Sequence, residues 1–332
     1  MNKIPLLSII TPFYNEAEGV EHYFSILLPI LEGIRLGGEA GEQGLDFEVL
    51  CIDDGSSDVT LPLLLECARR DERIKVLQFS RNFGKEAALS AGLDFCRGDA
   101  AIPLDADLQD PPELIPKMLQ LWYASKGSAN GSIDVVLPVR TNRKDPLFKK
   151  LTAKLFYELI GKISSSDIPR QVADFRLLDR RVIDVICQLR EKHRFMRGLL
   201  SWPGFRIEHI SYQRPERKYG ETKYNYKRML SYALDGIFAF STVPLRFFSY
   251  FGSLVLLIGL FLALRAIVIK LWLQDAEPGY TSTIVLLVFF SGAILLGQGI
   301  IGEYIGRIYH EVKNRPIYVV QNSYNIEDTK QK

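Results

Sequence analysis

Cysteine is scarce in this chain. There are four in 332 residues, Cys51, Cys67, Cys96 and Cys187, and no two stand at the spacing of a metal-binding pair. A disulfide-built scaffold and a thiolate metal centre are thereby excluded. Three of the four fall in segments patterned as core strand or helix, so they are expected to be reduced, buried small hydrophobes. An excess of one charge is also missing, with 41 Lys and Arg against 39 Asp and Glu. That balance argues against a basic nucleic-acid footprint and an acidic solvating tail, so no nucleic acid is expected as a partner. The N-terminus has a short apolar run, Leu6 to Phe13, without a basic leader or a small-residue cleavage site, and no signal peptide is expected. Internal repeats are absent as well.

Long apolar runs are present, and they are concentrated toward one end. Between Arg246 and Arg265 lie 18 residues without a charge, and Tyr280 to Gly302 is an uncharged stretch of 23. At about 1.5 Å of helix rise per residue, each is about long enough to cross a hydrocarbon core of about 30 Å. Residues 245–308 are therefore expected to form two transmembrane helices, near 247–271 and 280–302, joined around Gln274 to Gly279. Two spans bring the chain back to the side it left. Lys227, Arg228 and Arg246 before the first, and Arg307, Lys313 and Arg315 after the second, mark that side as cytoplasmic, while the connecting loop carries Asp275 and Glu277. Arg265 and Lys270, near the outer end of the first span, are expected to snorkel to the head groups. Met229 to Phe240 is apolar on one side, which predicts an interfacial amphipathic helix within 225–244. The expected location is the inner (cytoplasmic) membrane, multi-pass, with residues 1–224 and the tail 309–332 in the cytoplasm. Arg315 to Gln321 reads as a short strand able to pair with a neighbouring chain, and so predicts a homo-oligomer, a tetramer or dimer.

Residues 1–140 alternate in the manner of βαβ units. Leu6 to Thr11, Phe47 to Ile52, Ile74 to Phe79, Ala100 to Leu104 and Ile133 to Val139 are short apolar runs suited to strands buried on both faces. Helical patterns lie between them, near Ala17 to Arg35, Leu61 to Arg70, Lys85 to Cys96 and Pro112 to Trp122. The alternation predicts an α/β fold, a Rossmann-like, mostly parallel sheet with helices on both faces. Residues 36–45 and 125–132 read as surface loops rich in small residues. From Phe148 to Leu200 helical periodicity dominates, interrupted near Ser164 to Asp174, and Phe205 to Ser211 is strand-like.

In such sheets ligands bind beyond the carboxyl ends of the strands. Polar clusters follow each of the first four: Tyr14-Asn15-Glu16, Asp53-Asp54-Gly55-Ser56-Ser57-Asp58, Arg81-Asn82-Phe83-Gly84-Lys85 and Asp105-Ala106-Asp107-Leu108-Gln109. Asp105 and Asp107 so close together would repel unless a cation sat between them and a phosphate. Hard oxygen ligands suit Mg²⁺ or Mn²⁺, and Gln109 could add a third oxygen. Asp110 followed by Pro111 and Pro112 reads as a capped helix start. Gly55 permits a tight turn and Ser57 or Asp58 can cap the next helix, while Asp53 and Asp54 could accept from a base N–H and ribose hydroxyls. Arg81 and Lys85 beside Gly84 would suit a diphosphate.

The stretches "TPFYNEAEG", "CIDDGSSD", "FSRNFGKEAALSAGLD", "LDADLQDPPEL", "ADFRLLDRRV" and "GETKYNY", followed by two apolar spans and "GEYIGRIYHEVKNRPIY", resemble the polyprenyl-phosphate glycosyltransferases. These are inverting family 2 enzymes similar to dolichol-phosphate mannose synthase and, more closely, to bacterial bactoprenol glucosyltransferases that feed O-antigen modification. The resemblance runs from Pro5 to about Val320. It implies a GT-A-type domain followed by the interfacial helix and the two spans. It further implies that Pro12, Tyr14, Glu16 and Asp54 hold the nucleotide base and ribose, with Asp53, Arg81, Lys85 and Ala106 also on the nucleotide. Asp105, Asp107 and Gln109 would gather the metal and the diphosphate, and Asp174 would be the acceptor-side catalytic carboxylate. Arg140, Arg143, Arg206, Arg214 and Arg217 would bind the lipid phosphate, with Lys223 and Tyr224 in a loop closing over it.

The implied reaction moves a hexose, glucose by likeness, from a UDP-sugar donor to undecaprenyl (polyprenyl) phosphate at the lipid bilayer, with inversion. A processive polysaccharide synthase would need more spans and a Gln-x-x-Arg-Trp motif, whereas Trp202 stands in "GLLSW". A silent sugar-nucleotide sensor would have no use for Asp105, Asp107 and Asp174 together.

Overall fold

The computed structural model describes residues 4–38, 41–126, 131–140, 174–189, 191, 203–212, 248, 250–255, 257–258, 261 and 279–326. They divide into two compact units, one of residues 1–154, 166–222 and 316–332, the other of residues 155–165 and 223–315.

The first unit is built on an eight-stranded sheet whose strands, in spatial order, are Val320–Tyr324 (β10), Ile74–Phe79 (β5), Asp46–Asp53 (β4), Leu6–Phe13 (β1), Ala100–Pro103 (β6), Leu177–Asp179 (β8), Val135–Arg140 (β7) and Ile207–Tyr212 (β9). The strands β1 (Leu6–Phe13), β4 (Asp46–Asp53), β5 (Ile74–Phe79) and β6 (Ala100–Pro103) run parallel, as their unbroken apolar patterns predict. Side chains alternate between the sheet's faces. Leu7, Ile9, Phe13, Val49 and Cys51 join one core with α1 (Val20–Glu32), α2 (Thr60–Arg70) and α4 (Ile115–Ser125). Ile10, Leu50, Ile52 and Leu77 join the other with α3 (Lys85–Phe95) and α5 (Arg180–Gln188). The result is three layers, helices on both faces of a mostly parallel sheet. All four cysteines are free thiols, with Cys51 and Cys96 buried.

Four strands differ from the sequence reading. Arg35–Gly38 (β2) and Gly41–Gly44 (β3) form a small antiparallel hairpin where a loop is expected. Leu177–Asp179 (β8) lies within a stretch read as helical and enters the sheet antiparallel between β6 and β7 (Val135–Arg140), with Ala101 opposite Leu178. A three-residue strand is too short to carry a period, so only its neighbours give it direction. Finally, the tail strand, expected over Arg315 to Gln321, lies at Val320–Tyr324 (β10) and pairs antiparallel with β5 of the same chain.

The tail is held firmly on that edge. Val319 accepts from the amide of Ser80, Tyr318 stacks on Phe79 at 5.3 Å, and its hydroxyl donates to Asp94 at 2.8 Å. An open edge strand is thus covered from within the chain.

In the second unit α6 (Tyr280–Val312) is a single helix of 33 residues. Its window Phe289–Gly306, of mean hydropathy 1.2, is the one stretch among the described residues long and apolar enough to cross a membrane. Leu287, Ile294, Leu295 and Ile308 on it are exposed. Of the first expected span only residues 248, 250–255, 257–258 and 261 are described, all helical. Phe251 lies 6.5 Å from Phe289, and Phe248 packs where Gly297 has no side chain. The expected interfacial helix, Arg265 and Lys270 lie outside the described residues.

Candidate functional site

The parallel strands deliver the four polar clusters to one rim. Directly after β1, Asn15 adopts a left-handed φ of 54°. Its amide donates to Ser56 Oγ at 3.0 Å, and its side-chain oxygen accepts from the amide of Ser57 at 2.8 Å. Glu16 donates its amide to Thr60 Oγ1 at 2.9 Å, so the first two clusters are stitched together.

Gly55 explains how the second cluster reaches the third. Its φ is 68°, and a Cβ there would lie 2.5 Å from the carbonyl carbon of Arg81. Only glycine allows this approach. Next to it, Asp54 is 3% exposed and accepts from the amides of Phe83 at 2.7 Å and Gly84 at 2.9 Å. Burial pushes the Asp54 carboxyl up, against the lowering effect of those two amides. Asp53, 1% exposed, accepts from Ser56, and burial raises its pKa as well. Asp54 therefore fixes the start of α3, whose first residue is Lys85.

The Lys85 ammonium reaches three carboxylate oxygens: Asp105 Oδ1 at 2.7 Å, Asp105 Oδ2 at 2.8 Å and Asp174 Oδ2 at 3.0 Å. The pairing of β8 with β6 makes this meeting possible. Continuing the register of Ala101 with Leu178 toward the rim sets Asp174 level with Asp105. Burial lowers the Lys85 pKa, but Asp174 and Asp105 more than offset it, so the net shift is upward. Asp105 is shifted up by burial, with Lys85 pulling the other way. Arg176, itself buried, comes within 3.6 Å of Asp174 Oδ1.

Asp107 is exposed, and its Oδ1 accepts from the amide of Gln109 at 3.1 Å. Burial pushes the Glu16 carboxyl above its ordinary value, and the charges of Asp107 and Asp58 push the same way. These are hard oxygen donors, and the cleft between Asp105 and Asp174 already accommodates a positive group, the Lys85 ammonium, so a divalent cation fits the chemistry. Among the described residues no three His, Cys, Asp or Glu side chains converge on one point. Such an ion would hold to one or two carboxylates and complete its shell on phosphate oxygens.

The sequence profile of glycosyl transferase family 2 matches residues 8–187, the span that carries every cluster of this rim. The chain belongs to glycosyl transferase family 2. It is 42% identical over 322 residues to a glycosyltransferase of Synechocystis sp., covering 97% of this chain and 96% of that one. It is 40% identical over 319 residues to the SfII prophage-derived bactoprenol glucosyl transferase of Shigella flexneri, covering 96% and 98%. The glucosyl-3-phosphoglycerate synthase from Mycobacterium tuberculosis, solved with Mn²⁺ and UDP, superposes with a TM-score of 0.45 at 16% identity, over 70% of this chain and 78% of that one.

This family 2 glycosyltransferase brings together Tyr14, Glu16, Asp53, Asp54, Arg81, Lys85, Asp105, Ala106, Asp107, Gln109 and Asp174 along the rim, with Pro12 at the end of β1. Arg81 lies with its guanidinium 4.1 Å over the Phe83 ring. Arg140 ends β7 at the same rim by its backbone. Arg143, Arg214, Arg217, Lys223 and Tyr224 lie outside the described residues. β9 (Ile207–Tyr212) runs parallel to β7 and ends at the rim, so the chain leaves toward Arg214 from the site side.

Arg206 is a correction. It precedes β9, at the amino ends of the strands, on the opposite edge from the rim. There its amide donates to Asp134 Oδ2 at 3.0 Å and its guanidinium to Gly131 O at 3.0 Å, so it ties the β7 and β9 starts together. Asp110 is a second. The short turn after it begins without a side-chain cap, and buried Asp110 instead accepts from the Tyr212 hydroxyl at 3.4 Å. Arg176 was missed, although it stands in the Asp-Phe-Arg-Leu stretch. Its signal is an arginine placed two residues from a rim carboxylate at the mouth of a strand.

Proposed function

We propose that this glycosyltransferase moves glucose, with inversion, from UDP-glucose to the phosphate of a polyprenyl carrier such as undecaprenyl phosphate at a bilayer surface. The observation that carries the reading is the meeting of Asp174 with Asp105 under Lys85, which sets an acceptor-side carboxylate beside the donor-side aspartates. Similarity over nearly the whole chain to proteins named bactoprenol glucosyl transferase supports the sugar and the lipid.

In this reading Pro12, Tyr14 and Glu16 line the nucleotide, and Asp53 and Asp54 shape the loops around it. Asp105, Asp107 and Gln109 would hold Mg²⁺ or Mn²⁺, which when bound offsets the charge of the departing diphosphate. Arg81 adds positive charge on the same side. Arg140, Arg143, Arg214 and Arg217, with Lys223 and Tyr224, receive the lipid phosphate, since a guanidinium fork matches phosphate oxygens in pairs. Arg206, on the far edge, is not assigned to it.

The chemistry is a single displacement. A phosphate oxygen of the acceptor forms a bond to the anomeric carbon as the bond from that carbon to the UDP oxygen breaks, and UDP leaves with the electron pair. An acceptor phosphate is largely ionised near neutrality, its second pKa being about 6. A strong base is therefore unnecessary. Asp174 orients the acceptor and steadies the positive charge that develops on the sugar. The apolar helix of the second unit supports a membrane location, because a long polyprenyl tail stays in the bilayer at about 0.8 kcal/mol per buried CH₂. An inner-membrane position, cytoplasmic site and O-antigen product belong to the same reading.

The test is transfer of label from a panel of radiolabelled sugar nucleotides to undecaprenyl phosphate by the purified full chain, with Mg²⁺ or Mn²⁺. Labelled lipid from UDP-glucose is expected. A product from another hexose alone would keep the reaction and change the sugar, and no lipid-linked product from any donor would end the proposal. Arg217→Ala is expected to raise KM for the lipid roughly tenfold, the worth of one charged hydrogen bond, with KM for the nucleotide sugar little changed.

A further inference from the structure

Lys85 looks at first like a diphosphate ligand, yet its three nearest partners are carboxylate oxygens at 2.7, 2.8 and 3.0 Å. An ammonium has three N–H donors. In this arrangement one N–H is given to Asp105 Oδ2 and one to Asp174 Oδ2, with Asp105 Oδ1 in ion-pair range, so the ammonium is engaged by both acids. The position is also imposed rather than casual. Lys85 opens α3, the two residues before it give their amides to buried Asp54, and Gly84 takes a φ of 96° to make the turn. Asp105 and Asp174 come from different elements and would repel one another without a cation between them.

We propose that Lys85 is a positioning residue, the resident counter-ion of the rim: it holds Asp105 and Asp174 side by side until a divalent cation binds, and it competes with that cation for Asp105. The inference rests on the reading above that the rim takes such a cation. Arrival of the ion detaches the ammonium from Asp105 and frees its donors. The same lysine then turns to the sugar-nucleotide diphosphate while keeping Asp174 in place. One side chain thereby links loading of the ion to readiness for the donor, with no strongly repelling carboxylate pair at any stage.

Mn²⁺ alone, without nucleotide, is titrated into the full chain, and the free ion is read by electron paramagnetic resonance. Lys85→Met and Lys85→Gln remove the competing charge and are expected to tighten Mn²⁺ binding roughly tenfold, equivalent to about 1.4 kcal/mol. Lys85→Arg keeps the charge and is expected to stay near the wild-type affinity. Neutral variants that bind as wild type does, or more weakly, overturn the role of Lys85 and leave the ion site standing. No Mn²⁺ binding by wild type or any variant overturns the ion site and this inference with it. A second measurement needs no variant. Reductive methylation of Lys85 in wild type, followed by mass spectrometry, is expected to speed up severalfold when Mn²⁺ is added, and an unchanged rate overturns the exchange.

Discussion

At the scale of single residues, the rim is organised by groups that hold one another before any substrate is bound. Asp54 holds two backbone amides, Gly55 lets one loop lie on another, and Lys85 joins two acids. Gly55→Ala would force a methyl group against the Arg81 backbone at a φ that side chains avoid. It is expected to cost about 1–3 kcal/mol and to lower both the melting temperature and the affinity for UDP. Asp107→Ala is expected to cut turnover by about a hundredfold or more while the melting temperature holds, because Asp107 is exposed and holds little of the fold. Wild-type rates in that variant would refute the donor-side assignment.

Asp53 offers a pH test. Its folded-state pKa is raised by burial, so between 3.8 and that raised value the folded chain binds more protons than the unfolded one. Stability then falls as pH climbs through that window. Asp53→Asn has no such proton to lose. Its melting temperature, compared with wild type at each pH, is expected to gain ground on raising the pH, and a constant or reversed difference would refute the assignment.

At the scale of elements, the parallel strands were legible because each is a continuous apolar run ending in a polar cluster. β1, β4, β5 and β6 fall within a residue or two of where their patterns put them. The places of Asp105 and Asp107 on the rim were legible for the same reason, since they follow the end of β6 closely, and Lys85 closes the polar cluster that follows β5. The physical cause of Asp174's position was not. It depends on β8, three residues with no period of their own, recruited by tertiary pairing to β6 and β7. Arg206 misled because an arginine beside a strand reads the same at either end, and only the parallel register of β7 and β9 says which edge it occupies. The tail strand was only partly legible: it was expected over Arg315 to Gln321 and lies at Val320–Tyr324, because its bounds are set by pairing with β5 rather than by a period of its own. Tyr318→Ala removes the stack on Phe79 and the bond to Asp94. It is expected to cost about 1–3 kcal/mol and to raise amide hydrogen exchange along β5 before the rest of the sheet.

At the scale of the whole molecule, the two units have different surfaces. The first hides its apolar side chains in two cores, whereas α6 of the second displays Leu287, Ile294, Leu295, Ile308 and Val312. Large exposed apolar faces of this kind call for a membrane or another apolar partner. The full chain is expected to stay with membranes through an alkaline carbonate wash and to come off with detergent. Release by carbonate would count against the spans at 247–271 and 280–302. A chain ending before residue 245 would be expected to lose lipid transfer even where it still binds UDP.

The strand that closes the sheet at β5 has a further bearing on how the protein is made. β5 ends at residue 79 and its outer neighbour begins at residue 320, so 240 residues must be synthesised between them. At about 5–20 residues per second that is roughly 10–50 s of translation during which the growing α/β core has a bare flank. Ribosome-bound intermediates are then at their most sticky, and a premature stop before codon 320 would leave that flank bare for good.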